Sequence, residues 1–314
     1  MFEKIVVVTR KTRLEELIER FNSREQARFY IEHMGADFSD YEREHETYQR
    51  ALHELRRRLA PFSALKTQFI ERAFLPNFLF TEKDIVVTIG QDGLVVNTAK
   101  YLNGQPIVAV NPDPARFDGV LLPFQAPQVS QAVTNLLAGR SQMQVITMAE
   151  AVLNDGQTIL AFNDLFIGVR THTSARYQIT WGQQTERHSS SGLIVSTGAG
   201  STGWLSSMFH MAAGVARFAL DTDAGIEPAQ FRFGWDEPKL LFVVREPFAS
   251  RMSQVGIVAG LLSADEELIL ESHIPDQGVI FSDGVEIDYL AFNSGAIARI
   301  RVAERKTLLV VNAG

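Results

Sequence analysis

The chain has 314 residues and no cysteine. Disulfides, cysteinyl zinc sites, iron–sulfur clusters and thiol nucleophiles are thereby excluded. No Gly-Lys dipeptide occurs, which removes the Walker A phosphate loop. The Gly90–Val95 turn does not have GxGxxG spacing, which argues against a Rossmann oxidoreductase. The 7 histidines form no HxH or HxxxH pair, so no dedicated zinc site is expected and no metal ligand is assigned to the protein. No apolar run approaches the ~18 residues of a membrane helix. The four-residue run Ile5–Val8 is too short for the core of a signal peptide. With 30 basic and 37 acidic residues the net charge is −7, which gives no electrostatic reason for a nucleic-acid partner. What remains is ordinary: 46% hydrophobic and 21% charged residues, as in globular proteins and unlike disordered or coiled-coil chains. A soluble, cytoplasmic protein without membrane or nucleic-acid contacts is the expectation.

The two halves differ in pattern. Short Val/Ile-rich runs at 3–10, 84–90 and 106–114 read as buried strands. Helical patterns follow at 91–102 and 127–140, the second closed by Gly139. Residues 11–59 hold 21 charged residues in 49, and Tyr48, Leu52, Leu55 and Leu59 mark one apolar helix face. These features predict an α/β domain over residues 1–140 with a mainly parallel sheet. From 141 to 314 short strands dominate, with hairpin turns at Asp155-Gly156 and Asp283-Gly284. A mostly antiparallel β domain is expected there, with one helix near 202–220. Residues 221–237 read as a loop, and the last strand could return to the first domain.

Three polar clusters interrupt these patterns. Gly90-Gln91-Asp92-Gly93-Leu94 lies where a buried strand ends and a helix begins, the place where open α/β sheets bind ligands. An Asp beside such a turn can serve as general base toward a hydroxyl. Alternatively it is an ordinary Asp-Gly turn. Asn163-Asp164 is a polar pair inside an apolar strand pattern, and each buried member needs a partner, from a sugar's hydroxyls or from backbone at a bulge. The stretch from Ser191 to Gly203 is rich in Ser, Thr and Gly and leads into an amphipathic helix with Thr202 as a candidate cap. Ala199–Gly203 also approaches a nucleophile elbow with Ser201 at its centre, but Ala stands where the first Gly belongs.

In this order the clusters resemble the NAD kinase family of the diacylglycerol-kinase-like superfamily. The family's GGDGT appears as Gly90-Gln91-Asp92-Gly93-Leu94, its Asn-Glu pair as Asn163-Asp164, and its third segment as SSGLIVSTGAGSTGWLSS. The SSGL start and the Trp are closest to the mitochondrial-type branch. Over residues 11–59 the chain carries no diagnostic segment.

The resemblance implies ATP-dependent phosphorylation of the 2′-hydroxyl of the adenosine ribose of NAD, giving NADP. Asp92 would be the base, and Gly93 would admit ligand phosphates. Asn111, Asn163, Asp164, Thr202, Gly203, Trp204 and Ser207 would contact NAD, while Gly90, Gln91 and Leu94 would form the phosphate loop. ATP would bring Mg²⁺, and a homodimer or homotetramer is implied. Gln91 and Leu94 replace the family's Gly and Thr, and Asp164 replaces its Glu. Two alternatives stay open: a non-catalytic NAD(P)-binding regulator, or a kinase of a lipid or sugar hydroxyl. Polyphosphate as donor and NADH as acceptor are left open as well.

Overall fold

The computed structural model describes residues 2–220 and 225–312. They fall into two compact units, Met1–Gln144 with Leu308–Gly314, and Val145–Thr307.

The first unit contains β1 (Lys4–Thr9), α1 (Arg13–Phe21), α2 (Arg24–His33), α3 (Phe38–Leu59), β2 (Lys66–Glu71), β3 (Asp84–Ile89), α4 (Asp92–Ala99), β4 (Pro106–Asn111), β5 (Phe124–Gln125) and α5 (Val129–Leu137). Its strands run parallel in the order β2-β1-β3-β4, with β5 beside the end of β4. Every residue of β3 and β4 is buried, which is why these segments read as unbroken apolar runs. One core joins Ile5, Val7, Ile85, Val87, Val108 and Val110 to the helices packed on that sheet. Tyr48, Leu55 and Leu59 of α3 enter this core and Leu52 packs at its edge, so the charged region carries the apolar stripe expected of it. Full burial of each such leucine contributes about 1.5–3 kcal/mol. Tyr48 also donates its hydroxyl to Ile89 O at 3.4 Å and accepts from Arg10 N at 3.1 Å, tying α3 to the strand end that precedes Gly90. Gly139 closes α5 with a φ of 67°.

The second unit takes in most of β6 (Gln142–Leu153), then β7 (Thr158–Ala161), β8 (Asp164–Val169), β9 (Ala175–Trp181), β10 (Gln184–Ser190), β11 (Leu193–Ser196), α6 (Trp204–Leu220), β12 (Lys239–Val244), β13 (Ala259–Ser263), β14 (Leu268–Ser272), β15 (Gly278–Ser282), β16 (Val285–Ala291) and most of β17 (Ile297–Val311). One sheet, ordered β13-β12-β11-β8-β15-β16, is antiparallel throughout. Facing it are β10-β9-β14-β17 with the β6–β7 hairpin. Ile167, Val195, Phe242 and Ile280 of the first sheet share a core with Ile179, Leu268, Leu270 and Ile300 of the second. A parallel α/β layer and an antiparallel β-rich unit are the fold class read from the sequence. The strand β17 leaves the second unit at Leu308, which pairs in parallel with Pro106 of β4.

Three local expectations change. First, α6 begins at Trp204, not at Thr202, which lies in a 3-10 turn over Gly200–Thr202. Second, the apolar stripe of α6 docks only at its start: Leu205 is buried and Trp204 and Met208 pack against a core with Phe166 and Ile194, whereas Met211, Val215 and Phe218 are exposed. Third, only Asp164 lies in a strand, as the first residue of β8, while Asn163 sits in the corner between β7 and β8. Part of the loop expected at 221–237 lies outside the described residues; within the rest, Pro228–Phe231 forms a 3-10 turn.

Candidate functional site

In the first unit the candidate residues converge at the carboxyl ends of β3 and β4. Gly90 is buried behind β3, and Gln91 precedes α4 without a capping hydrogen bond from its side chain. Asp92 is the first residue of α4, where a carboxylate complements the helix dipole. Its Oδ1 accepts a 2.6 Å hydrogen bond from Leu121 N, and Oδ2 has no partner among the described residues. The loop that supplies this N–H is organised by Asn111 at the end of β4. Asn111 Nδ2 donates to Phe117 O at 3.0 Å, and its Oδ1 accepts from Asp113 N at 3.0 Å. Both ends of its side chain are thus committed to the loop that orients Asp92. Gly93 is exposed, with open space where a Cβ would stand. Leu94 turns the other way and is buried, its Cδ2 only 2.8 Å from where a Cβ on Gly90 would be. It therefore shapes the turn from behind and offers nothing to a ligand phosphate.

In the second unit the Asn163-Asp164 corner and the Ser196–Gly203 loop are locked together. Thr197 N donates to Asn163 O at 2.9 Å, and Thr197 Oγ1 donates to Phe162 O at 2.6 Å. A Cβ on Gly200 would stand 2.2 Å from Asn163 O, and one on Gly198 2.0 Å from Gly234 O, so both positions need glycine for this approach. Gly203 O accepts from Ser207 N at 3.2 Å and from Ser207 Oγ at 3.4 Å, so Ser207 closes the first turn of α6. Thr202 and Gly203 are exposed. Trp204 stacks on Phe166 with ring centroids 5.8 Å apart and planes at 8°.

The corner has an organiser that the sequence marked only as a hairpin turn. Asp283 (φ 55°) and Gly284 (φ 69°) form the β15–β16 turn in the left-handed region. The Asp283 carboxylate accepts from Phe162 N at 3.1 Å, Asn163 N at 2.7 Å and Asp164 N at 3.3 Å. Asp164 is buried, and its carboxyl makes no hydrogen bond among the described residues. Burial, and then the neighbouring Asp283 charge, push its pKa up to about 7. The elbow reading fails on geometry: Ser201 Oγ donates to Gly198 O at 2.7 Å and meets no histidine among the described residues.

Among the described residues no group of three His, Asp or Glu side chains could hold a metal ion, and no helix is long and apolar enough to cross a membrane.

No protein-family model matches the chain. The NAD kinase of Saccharolobus solfataricus is 26% identical over 121 residues, covering 38% of this chain. That stretch spans 46% of the relative's length, less than half. The crystal structure of yeast NADH kinase complexed with NADH superposes with a TM-score of 0.56 at 14% identity, covering 100% of this chain and 84% of that one. An NAD kinase from Archaeoglobus fulgidus in complex with ATP gives a TM-score of 0.53 at 16% identity, over 98% and 94%. The fold is the one these kinases share.

Proposed function

We propose that this chain is an NAD kinase, transferring the γ-phosphoryl group of ATP to the 2′-hydroxyl of the adenosine ribose of NAD. The observation that carries the reading is Asp92. Its carboxylate stands at a strand-to-helix turn, with one oxygen held by the Leu121 N–H and the other available to take a hydroxyl proton. In the reaction the ribose oxygen loses its proton to Asp92 and forms a bond to the γ-phosphorus. The bond from that phosphorus to the bridging oxygen breaks, and ADP leaves. A placed carboxylate base contributes on the order of 10²–10⁴-fold. Positioning and charge neutralisation around the phosphates supply the rest.

Support comes from three directions. The fold is shared with kinases whose solved structures hold NADH and ATP, consistent with a dinucleotide acceptor and ATP as donor. Partial sequence likeness is to an NAD kinase. Asn163, with a side-chain amide that makes no hydrogen bond among the described residues, and Asp164 sit at a fixed corner where ribose or base groups could be met. Mg²⁺ accompanies ATP in this account, and it supplies charge neutralisation on the donor phosphates. A cytoplasmic location and self-association complete the reading; the edge strands β13 and β16 expose Leu261, Ile287 and Tyr289.

A second reading is favoured by Leu94. Its burial leaves the turn without the hydroxyl of the family pattern, as a dinucleotide-binding regulator without turnover would tolerate. Incubation with NAD and Mg·ATP, followed by phosphorus NMR of the product, separates the two: a 2′-phosphate on the adenosine ribose supports the kinase, and NAD binding without product supports the regulator.

A further inference from the structure

A cleft of about 480 Å³ opens in the second unit beside Trp204, within the range of roughly 300–1,000 Å³ usual for small-ligand sites. Its apolar wall is built from Phe166, Trp204 and Phe281, with Phe166 and Phe281 centroids 4.8 Å apart. Two arginines face the same space. The Arg245 guanidinium lies 5.4 Å from the Trp204 ring centroid and 5.7 Å from that of Phe166. The Arg170 guanidinium lies 4.4 Å from the Tyr289 centroid, and its Nη2 donates to Glu286 O at 3.3 Å. Both heads are fixed by aromatic faces, and neither forms an ion pair with a carboxylate among the described residues. Two carboxylates, Glu246 and Glu286, also line the cleft; Glu246 accepts from Ser191 Oγ, and neither pairs with Arg170 or Arg245 among the described residues. Glu246 also holds a φ of 48°, a conformation uncommon for a side-chain-bearing residue.

Stacked, unpaired guanidiniums are suited to planar, bidentate recognition of phosphate oxygens, and stacking leaves their N–H groups free to donate. We infer that this cleft holds the diphosphate bridge of the dinucleotide, gripped by Arg245 and Arg170, with an attached ring or ribose against the aromatic wall. The identity of the ligand rests on the NAD kinase reading; the anion site itself does not. It assigns to Arg170 and Arg245 a role that the motif resemblance leaves blank.

The test is calorimetric titration of the full chain with inorganic pyrophosphate and, separately, with NAD. Wild type is compared with Arg245→Ala, Arg170→Ala and Arg245→Lys, with thermal melting confirming that each variant folds. Expected are binding of both probes to wild type and a loss of about tenfold or more for both in the two alanine variants, since each removes charge-assisted hydrogen bonds to the phosphates. Arg245→Lys should be intermediate, keeping the charge and losing the stacked plane. Unchanged affinity for both probes in both alanine variants overturns the inference. So does loss of pyrophosphate binding with NAD affinity untouched, which would assign the cleft to a free nucleotide. A failure of the kinase reading looks different: no NADP forms, while the arginine dependence of pyrophosphate binding persists.

Discussion

The carboxylate of Asp283 accepts a 2.7 Å hydrogen bond from the backbone nitrogen of Asn163, 120 residues earlier in the chain. Its two other N–H partners, Phe162 and Asp164, make it the clamp of the corner that presents Asn163 and Asp164. Asp283→Ala leaves three N–H groups without this acceptor. We expect a loss of about 3 kcal/mol in urea unfolding, together with weaker NAD binding. Asp283→Asn, which keeps one acceptor oxygen, should cost about 1 kcal/mol. An alanine variant as stable as wild type would show that the clamp does not hold the corner.

Asp164 makes stability depend on pH in an unusual direction. Its pKa is raised to about 7 by burial and then by Asp283, whereas an unfolded Asp titrates near about 3.9. The folded state therefore holds a proton that the unfolded state has released. Stability from this group is full below about pH 4, falls as pH rises toward 7, and levels off above. Asp164→Asn removes the dependence. Its stability relative to wild type should increase by on the order of 2 kcal/mol from pH 5 to pH 8, read by denaturant unfolding at both values. A pH-independent difference would contradict the raised pKa.

Gly93 separates folding from ligand approach. It is the second residue of α4, exposed, with open space at its Cβ position. Gly93→Ala should therefore stabilise the fold by about 0.5–1 kcal/mol through helix propensity. If donor phosphates approach this backbone, the same variant raises the KM for ATP about fivefold or more. A more stable protein with unchanged KM would remove Gly93 from the phosphate loop.

Leu94→Thr restores the residue of the family pattern, but in this chain position 94 faces the interior. The substitution should destabilise by about 2 kcal/mol and yield no gain in turnover. Gln91→Gly acts at an exposed position and should leave unfolding nearly unchanged. A rise in kcat from Leu94→Thr would mean that the hydroxyl reaches the reacting groups.

Much of this arrangement is local and therefore visible in the sequence. The buried strands β1, β3 and β4 are continuous Val/Ile runs, and the spacing of Tyr48, Leu52, Leu55 and Leu59 gives the docked face of α3. The motif order places Asp92 at a strand-to-helix turn without any coordinates. The unseen features act through space. Asp283 reads as half of an Asp-Gly turn, since its partners lie across the sheet. Arg245 is one arginine among many until Phe166 and Trp204 are seen beneath it. Leu94 packs into the space that Gly90 leaves by lacking a Cβ, which the motif alone does not encode. The exposed end of the α6 stripe, Met211, Val215 and Phe218, continues the periodicity of its docked start, so spacing cannot distinguish them.

The central claim is that Asp92 is the base of an ATP-dependent phosphorylation of NAD. It is tested most directly by the kcat for NADP formation in wild type and Asp92→Asn, with NAD affinity measured alongside. Asn keeps an oxygen for the Leu121 N–H, so the turn should persist and NAD should bind with similar affinity. The account predicts NADP formation by wild type and a fall in kcat on the order of 10²–10⁴-fold in the variant. NADP formation by wild type no faster than by Asp92→Asn would contradict it.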